Sequence, residues 1–206
     1  MLVETVKNSP IDSNCYVIHA HNCPDCLIID PGTEDCNELL SLLNKKRLIP
    51  QFIILTHEHF DHIWGVNKLL EIYQPSIICS EQCSEAIKDK KKNLSIFYNN
   101  VGFEINNNCK FVFHKEIQFG NQKIEIIDTP GHSLGSISVL VKNLLFTGDT
   151  VMMESKIVTK LPGGNKKKLI DSINSLQSSF MNQNIKVYPG HGNAFSFDEF
   201  IPSNLI

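Results

Sequence analysis

The chain has 206 residues, of which 42% are apolar and 20% charged, with a formal net charge of -3. This is an ordinary globular balance with enough apolar surface for a core, and the mild negative charge supplies no basic field for nucleic acid or an anionic membrane. No stretch approaches the roughly eighteen apolar residues of a membrane span, and residues 1–7 lack the basic and apolar regions of a signal peptide, so a cytoplasmic protein with no membrane partner is expected.

Taken in order, Leu2–Lys7 reads as an edge strand. Asn14-Cys15-Tyr16-Val17-Ile18 and Cys26-Leu27-Ile28-Ile29 are strand-like runs around a turn at residues 22–25. Asp30-Pro31-Gly32 ends the second run, where Asp30 either joins a site at the strand's end or caps the turn. Leu39, Leu40, Leu42 and Leu43 place residues 34–46 on an amphipathic helix that stops before Pro50. Residues 51–55 form the next strand, after which Ile63, Val66, Leu69, Leu70 and Tyr73 recur at helical spacing as far as Pro75. Trp64 is expected to pack near the base of the preceding loop rather than to touch substrate. Ile77-Ile78-Cys79 is a short strand, residues 81–88 a short helix, and the lysines at 88 and 90–92 a solvated surface.

Residues 93–108 are Asn-rich but carry Phe97, Tyr98 and Phe103, a pattern that fits either a lid or an irregular connection. Strands follow over residues 111–113, 123–127, 136–141 and 144–146, with Lys142-Asn143 as the tight turn between the last two. Leu169, Ile170, Ile173 and Leu176 mark a helix over residues 166–180, and residues 185–188 a final strand. No repeat, linker or low-complexity block interrupts the chain, so residues 1–206 read as one domain of the α/β (α+β) class.

The seven cysteines, at 15, 23, 26, 36, 79, 83 and 109, are odd in number and irregular in spacing. Without a signal peptide they read as reduced thiols, several of them core fillers. Cys23-Pro24-Asp25-Cys26 is a C-x-x-C pair, but one such pair cannot close a four-ligand zinc site, and its Pro-Asp centre reads as a turn.

The chemistry concentrates after residue 55. Thr56-His57-Glu58-His59-Phe60-Asp61-His62 places three imidazoles and Asp61 directly behind a buried strand, and these are ligands that borderline metals such as zinc prefer. The spacing suits a loop folded around one or two ions and differs from the helical H-E-x-x-H arrangement. The same grammar of apolar strand, Gly-containing turn and one donor recurs three times. It gives His132 in Asp128-Thr129-Pro130-Gly131-His132-Ser133, Asp149 in Thr147-Gly148-Asp149-Thr150, and His191 in Pro189-Gly190-His191-Gly192. Donors at the same ends of several strands can converge on one mouth. His19, His21 and His114 have no such setting.

Five histidines and two aspartates are too many for one catalytic zinc, which takes three protein ligands plus water. Two ions sharing a bridging carboxylate use all seven: His57, His59 and His132 on one, Asp61, His62 and His191 on the other, and Asp149 between them. Zinc is the expected metal, with iron and manganese as alternatives. Asp61 and Asp149 are the carboxylates expected to act in catalysis, and Ser133 and Thr150 are either donors behind the ligands or turn caps.

These residues resemble the metallo-β-lactamase-fold hydrolases. The T-H-x-H-x-D-H signature stands at 56–62, and the later ligands match His132 in TPGHS, Asp149 in TGDT and His191 in PGHG. The resemblance covers nearly the whole chain, including Asp30, and implies a four-layer αββα sandwich with a dinuclear site at one edge. Within that superfamily the chain is most similar to the small glyoxalase II-like (hydroxyacylglutathione hydrolase-like) branch, on the stretches 146–150, 161–165 and 188–192. It departs from that branch at Ile157-Val158-Thr159-Lys160-Leu161-Pro162-Gly163-Gly164, where relatives carry a G-R-T-D-L-P-G-G-like segment. The chain also ends soon after His191, where longer glyoxalase II enzymes have a helical extension that helps bind glutathione.

The expected activity is hydrolysis of a small-molecule acyl thioester or ester by hydroxide held between two metals, which coordination makes available near neutral pH. The alternatives are a mononuclear iron persulfide dioxygenase, a dinuclear lactone or phosphodiester hydrolase, and a metal-binding module without catalysis.

Overall fold

The computed structural model describes residues 1–105 and 110–201. Two six-stranded sheets dominate the architecture. The first contains β1 (Leu2–Lys7), β2 (Asn14–His19), β3 (Asp25–Ile29), β4 (Ile49–Ile54), β5 (Ser76–Ile78) and β6 (Phe111–Val112), adjacent in that order. Between these strands run α1 (Asn37–Lys46), α2 (Phe60–Ile63), α3 (Val66–Tyr73), α4 (Glu81–Ala86) and α5 (Ser95–Asn99). The second sheet contains β7 (Glu116–Phe119), β8 (Gln122–Asp128), β9 (Ile137–Val141), β10 (Leu144–Gly148), β11 (Lys186–Pro189) and β12 (Phe195–Ser196), with α6 (Lys166–Phe180) between β10 and β11.

The period of two along the strands builds the layers. Cys15 and Val17 of β2, with Cys26 and Ile28 of β3, face Leu39 and Leu43 of α1 and Val66 and Leu69 of α3. The alternate residues Tyr16, Ile18, Leu27 and Ile29 face Ile124, Val139 and Phe146 of the other sheet. On the far side Leu145 and Val187 meet Leu169, Ile173 and Leu176 of α6. The result is helices, sheet, sheet, helix: an αββα sandwich. Ile28, Ile53 and Ile54 are completely buried, and each contributes about 1.5–3 kcal/mol by leaving water.

β3 through β6 run parallel, so the carboxyl ends of β3, β4 and β5 open on one edge. β10 and β11 are also parallel. The two sheets meet at that edge, where the Ile137 amide at the start of β9 donates to the Thr56 carbonyl just past β4 (2.8 Å), and the Asn14 amide at the start of β2 donates to the Gly190 carbonyl past β11 (2.7 Å).

Several elements differ from the sequence expectation, each for a local reason. The helix expected from residue 34 begins at Asn37, because Cys36 sits in the left-handed region (φ 54°) and Asp35 accepts the Asn37 amide instead of joining the helix. β4 starts at Ile49 and includes Pro50, which falls at the register shift against β3, where a residue without an N–H costs no ladder bond. The helix read through residues 63–73 is broken before Val66. Gly65 donates its amide to Pro31 (2.8 Å), and any side chain there would run into Cys36 Sγ and the Thr33 carbonyl. Asp61 and His62 lie on the helical turn α2 rather than on a loop. β7 was not expected; it pairs as a hairpin with β8, and Lys123 of β8 reaches across to Glu116 of β7 and along its own strand to Glu125.

Of the Asn-rich stretch, residues 93–105 are tied to the body of the protein. Buried Asn93 donates to the Phe103 carbonyl (2.8 Å) and its own carbonyl accepts the Phe60 amide (2.9 Å), next to the ligand-bearing turn. Residues 106–108 lie outside the described residues, as does Cys109. Trp64 is half-buried and packs on Phe60, Tyr98 and Phe103 rather than in the main core. The other six cysteines are free thiols, and burial beside Asp25 pushes the Cys26 thiol up to about 12.

Candidate metal centre

The carboxyl ends of β4, β8, β10 and β11 bring seven donors to one place. Ring nitrogens of His57, His59 and His132 lie within 4.8 Å of one another, and the donor atoms of Asp61, His62 and His191 meet the same limit. Asp149 stands between the two triads. Its Oδ2 is 3.5 Å from His132 Nε2 on one side and 3.5 Å from His191 Nε2 on the other, while Oδ1 is 3.6 Å from His62 Nε2. Gly190 makes this approach possible, since a β-carbon there would collide with the Asp149 carboxylate and the His62 ring.

Four imidazoles are held from behind. His57 Nδ1 meets Thr56 Oγ1 (3.0 Å), His62 Nδ1 meets Asp30 Oδ2 (3.0 Å), His132 Nδ1 meets the Val158 carbonyl (2.8 Å) and His191 Nδ1 meets the Asp12 carbonyl (2.8 Å). A bond at Nδ1 fixes ring orientation and leaves Nε2 to face the cleft, the arrangement found behind metal-ligating histidines. His59 is turned the other way, with Nδ1 only 2.9 Å from His132 Nε2.

Asp30 also lies near His57 and His62, and three donors could hold an ion there by distance alone. Its oxygens are already engaged, however. Oδ1 accepts the Thr56 amide (2.8 Å), and Oδ2 accepts Thr56 Oγ1 (2.6 Å) and bonds His62 Nδ1. One buried carboxylate therefore supports a histidine of each triad, His62 directly and His57 through Thr56. Both sequence readings of Asp30 are partly realised: it belongs to the site and it braces the turn.

The electrostatics differ across the cleft. Burial and the surrounding imidazoles hold His57 well below its ordinary range and His59 down to about 3. Burial would lower His62 as well, but Asp61, Asp149 and Asp30 override it and raise the group to about 10. Burial likewise works to raise Asp61, yet His62 and His191 hold its carboxyl well below the usual range. His57 Nε2, His59 Nε2 and Asp149 Oδ1 are buried without a hydrogen-bond partner among the described residues. Orphaned buried donors and acceptors are costly, and a cation at each triad would satisfy the imidazole and carboxylate lone pairs gathered here. The residues fit a pair of divalent ions.

Ser133 and Thr150 brace loops, and among the described residues their hydroxyls bond other groups than the seven candidate ligands. Ser133 Oγ donates to buried Glu58 (2.8 Å), and Thr150 Oγ1 reaches Thr129 Oγ1 (3.2 Å). The residues that the sequence reading missed lie in the segment 8–16. Asn14 Nδ2 donates to the carbonyls of Pro189 and Gly192 (2.9 Å each), and Tyr16 Oη donates to the Pro189 carbonyl (2.6 Å). Ser13 Oγ donates to the Asp61 carbonyl (2.6 Å), and Asn8 Nδ2 reaches both Ser13 Oγ and the Asp30 carbonyl. No local motif announces these contacts, because the Asn14–Pro189 pair is separated by 175 positions.

The sequence pattern of the Metallo-beta-lactamase superfamily matches residues 9–191. The chain is 34% identical over 187 residues to the probable metallo-hydrolase MJ0888 of Methanocaldococcus jannaschii, covering 87% of each chain. It is 28% identical over 198 residues to the hydroxyacylglutathione hydrolase of Psychromonas ingrahamii, covering 95% of this chain and 64% of that one. Among solved structures it is similar to the BLEG-1 B3 metallo-beta-lactamase, with a TM-score of 0.86 and 27% identity over 95% of this chain and 94% of that chain.

Proposed function

The chain belongs to the metallo-beta-lactamase superfamily, and from that premise we propose that it is a dinuclear metallo-hydrolase that cleaves a thioester or ester in the manner of the glyoxalase II-like branch. The observation that carries this reading is the position of Asp149, whose carboxylate faces imidazoles of both triads at 3.5–3.6 Å. A carboxylate so placed could be shared by two ions, whereas a single ion would engage it from one side only. The similarity to a hydroxyacylglutathione hydrolase over 95% of this chain supports the thioester assignment. In this reading His57, His59 and His132 would hold one ion and Asp61, His62 and His191 the other, with the Asp149 carboxylate available to both. The imidazole and carboxylate donor set suits zinc, with iron and manganese as alternatives.

Divalent ions bound here would polarise the acyl carbonyl and supply a nucleophile near neutral pH by lowering the pKa of water to about 7. The protein's part is orientation and exclusion. Backbone and side-chain bonds at Nδ1 keep four imidazoles from rotating, and Asp30 holds His62 and Thr56 in one network. Buried His57, His59 and His132 close the inner wall, while Asp61 and His191 are partly exposed and mark the side that solvent reaches. In the net reaction an acyl C–O bond forms from water, the C–S bond breaks, and the thiol departs with one proton while the carboxylic acid loses the other. The leaving thiolate is already fairly stable, so no strong general acid is required of the protein.

The test is a panel of acyl thioesters turned over by the metal-loaded protein, with elemental analysis of protein expressed without added metal. We expect two ions per chain and thioester hydrolysis. One ion per chain, with oxygen consumed on a persulfide and no thioester cleaved, would overturn the reading in favour of dioxygenase chemistry.

A further inference from the structure

Glu58 stands inside the T-H-x-H-x-D-H segment but outside the candidate ligand set, and it is buried like its neighbours His57 and His59. A glutamate is rarely taken out of water without a partner, because its carboxylate is costly to desolvate. The partner here is the turn that carries His132: Ser133 Oγ donates to Glu58 Oε2 at 2.8 Å. An ionised carboxylate only accepts, so Ser133 gives Glu58 its single hydroxyl proton. The Ser136 hydroxyl, 2.9 Å from Ser133 Oγ, must then donate to it. Ser136 Oγ also accepts the Ser133 amide (3.1 Å), which closes the turn just past His132. The backbone of that turn comes equally close, since a β-carbon on Gly135 would stand 2.6 Å from the same carboxylate oxygen.

These contacts bear on how the first triad is assembled. His57 and His59 come from one backbone segment and His132 from another, with ring centroids 4.8 Å and 4.7 Å from that of His132. Bonds at Nδ1 fix the rotation of His57 on Thr56 and of His132 on the Val158 carbonyl, but neither sets the distance between the two segments. His59 has less support still. Its Nδ1 faces His132 Nε2 at 2.9 Å, and its Nε2 is buried without a hydrogen-bond partner among the described residues. The Ile137 amide ties β9 to the Thr56 carbonyl (2.8 Å), away from the imidazoles. The Glu58–Ser133 bond joins the segments at the ligands themselves, because Glu58 adjoins both His57 and His59 and Ser133 adjoins His132.

We propose that Glu58 is a positioning residue of the first triad, whose carboxylate clasps Ser133 and so holds the turn bearing His132 at the spacing from His57 and His59 that one cation requires. The role is confined to this triad, since His62, His191 and Asp61 take their supports from Asp30, Asp12 and Ser13. The proposal rests on reading the triads as ion sites and does not depend on which bond the protein cleaves. The clasp works by accepting a hydrogen bond, so an amide oxygen in the same place can serve it. Glu58→Gln can keep its oxygen towards Ser133 and turn its NH2 to the side of Gly163, which Glu58 Oε1 now faces.

The experiment is a stepwise cobalt titration of metal-free protein against a competing chelator, with the two sites followed by their absorption bands. It compares wild type with Ser133→Ala, Glu58→Ala, Glu58→Gln and the double variant Glu58→Ala/Ser133→Ala. First-site affinity should fall about tenfold in Ser133→Ala and in Glu58→Ala, while the second site stays as in wild type. The double variant should be no weaker than either single one, because both substitutions break the same bond. Glu58→Gln should retain most of the first-site affinity. A merely structural role would weaken both ions together, in step with the unfolding midpoint of the metal-free protein, and that result would overturn the proposal. Additive losses in the double variant, or Glu58→Gln as weak as Glu58→Ala, would overturn it as well. If Glu58→Ala does not fold, the other two single variants decide: affinity lost in Ser133→Ala and kept in Glu58→Gln supports the clasp, and unchanged affinity in Ser133→Ala refutes it. Wild-type protein that takes up no cobalt at the first triad would remove the ion-site reading and the clasp with it, whereas normal uptake in every variant would remove only the clasp.

Discussion

The two triads of the cleft are built by different means. His57, His59 and His132 are nearly inaccessible, and two of the three come from one short segment behind β4. Their environment is imidazole-rich and keeps His57 and His59 neutral, with lone pairs already available to a cation. Asp61, His62 and His191 form a carboxylate-rich, partly exposed group in which His62 and His191 are raised by Asp61 and Asp149. A cation entering there must displace protons, which makes its binding more dependent on surroundings. The supports differ in the same sense. The first triad leans on its neighbour Thr56 and on the Val158 carbonyl, the second on Asp30 and on Asp12, Ser13 and Asn14 near the start of the chain. Each half takes two ligands from residues 57–62 and one from a distant strand end, His132 or His191, so the halves differ in their burial, charge and supports rather than in how far apart their ligands lie in the chain.

Asp149→Ala should erase the distinction, because this carboxylate faces imidazoles of both halves. We expect loss of dinuclear loading and a fall in turnover on the order of a hundredfold or more, read by elemental analysis and thioester hydrolysis. Unchanged metal content and rate would remove the bridging role. Asp30→Asn comes next. It keeps the size of a buried side chain but removes the charge that accepts from Thr56 and meets His62, so both halves should weaken together. A loss of about 10–100-fold in metal affinity is expected, measured by competition with a chelator. Weakening confined to one ion would show that Asp30 serves only one histidine.

Ligands and their supports differ in what could be read from the sequence. The T-H-x-H-x-D-H segment, TPGHS, TGDT and PGHG each follow an apolar strand, and all seven donors lie where those strand ends converge. The layers were expected from the family resemblance, and the runs Cys15-Tyr16-Val17-Ile18 and Cys26-Leu27-Ile28-Ile29, read only as strands, are apolar on both faces because they lie between helices and a second sheet. Gly65 breaking the helix before Val66, and Asn14 reaching Pro189 and Gly192, were not legible. A periodic pattern reports the face a residue buries, but not the backbone that approaches it from elsewhere in the chain.

Asn14→Ala tests whether the second half is separable. The substitution removes the Asn14 donor to the Gly192 carbonyl and one of the two side-chain donors to the Pro189 carbonyl, which keeps Tyr16 Oη, and the loop bearing His191 loses a clamp. The expected result is a second-ion affinity about tenfold lower with the first ion retained, followed by stepwise metal titration. A stability loss of about 1–3 kcal/mol should accompany it in denaturant unfolding. Equal weakening of both ions would mean that the strand start supports the fold as a whole rather than one triad.

Thr56→Val is the converse and the smallest perturbation. The side chains are nearly equal in size, so packing beneath β4 is preserved, while the hydroxyl that joins Asp30 to His57 is lost. The amide of residue 56 still donates to Asp30 Oδ1, and His62 still bonds Oδ2, so the second triad keeps its support. What changes is that His57 Nδ1 faces a methyl group and its ring is no longer fixed in one orientation. The first ion should therefore bind several-fold more weakly, towards the lower end of the roughly 10–100-fold range for losing a ligand's partner, while the second is unaffected. Cobalt substitution reads the two sites separately by their absorption bands. If Thr56→Val disturbs both bands equally, the local support of the first triad is not independent of the second, and Asp30 couples them through more than the hydroxyl.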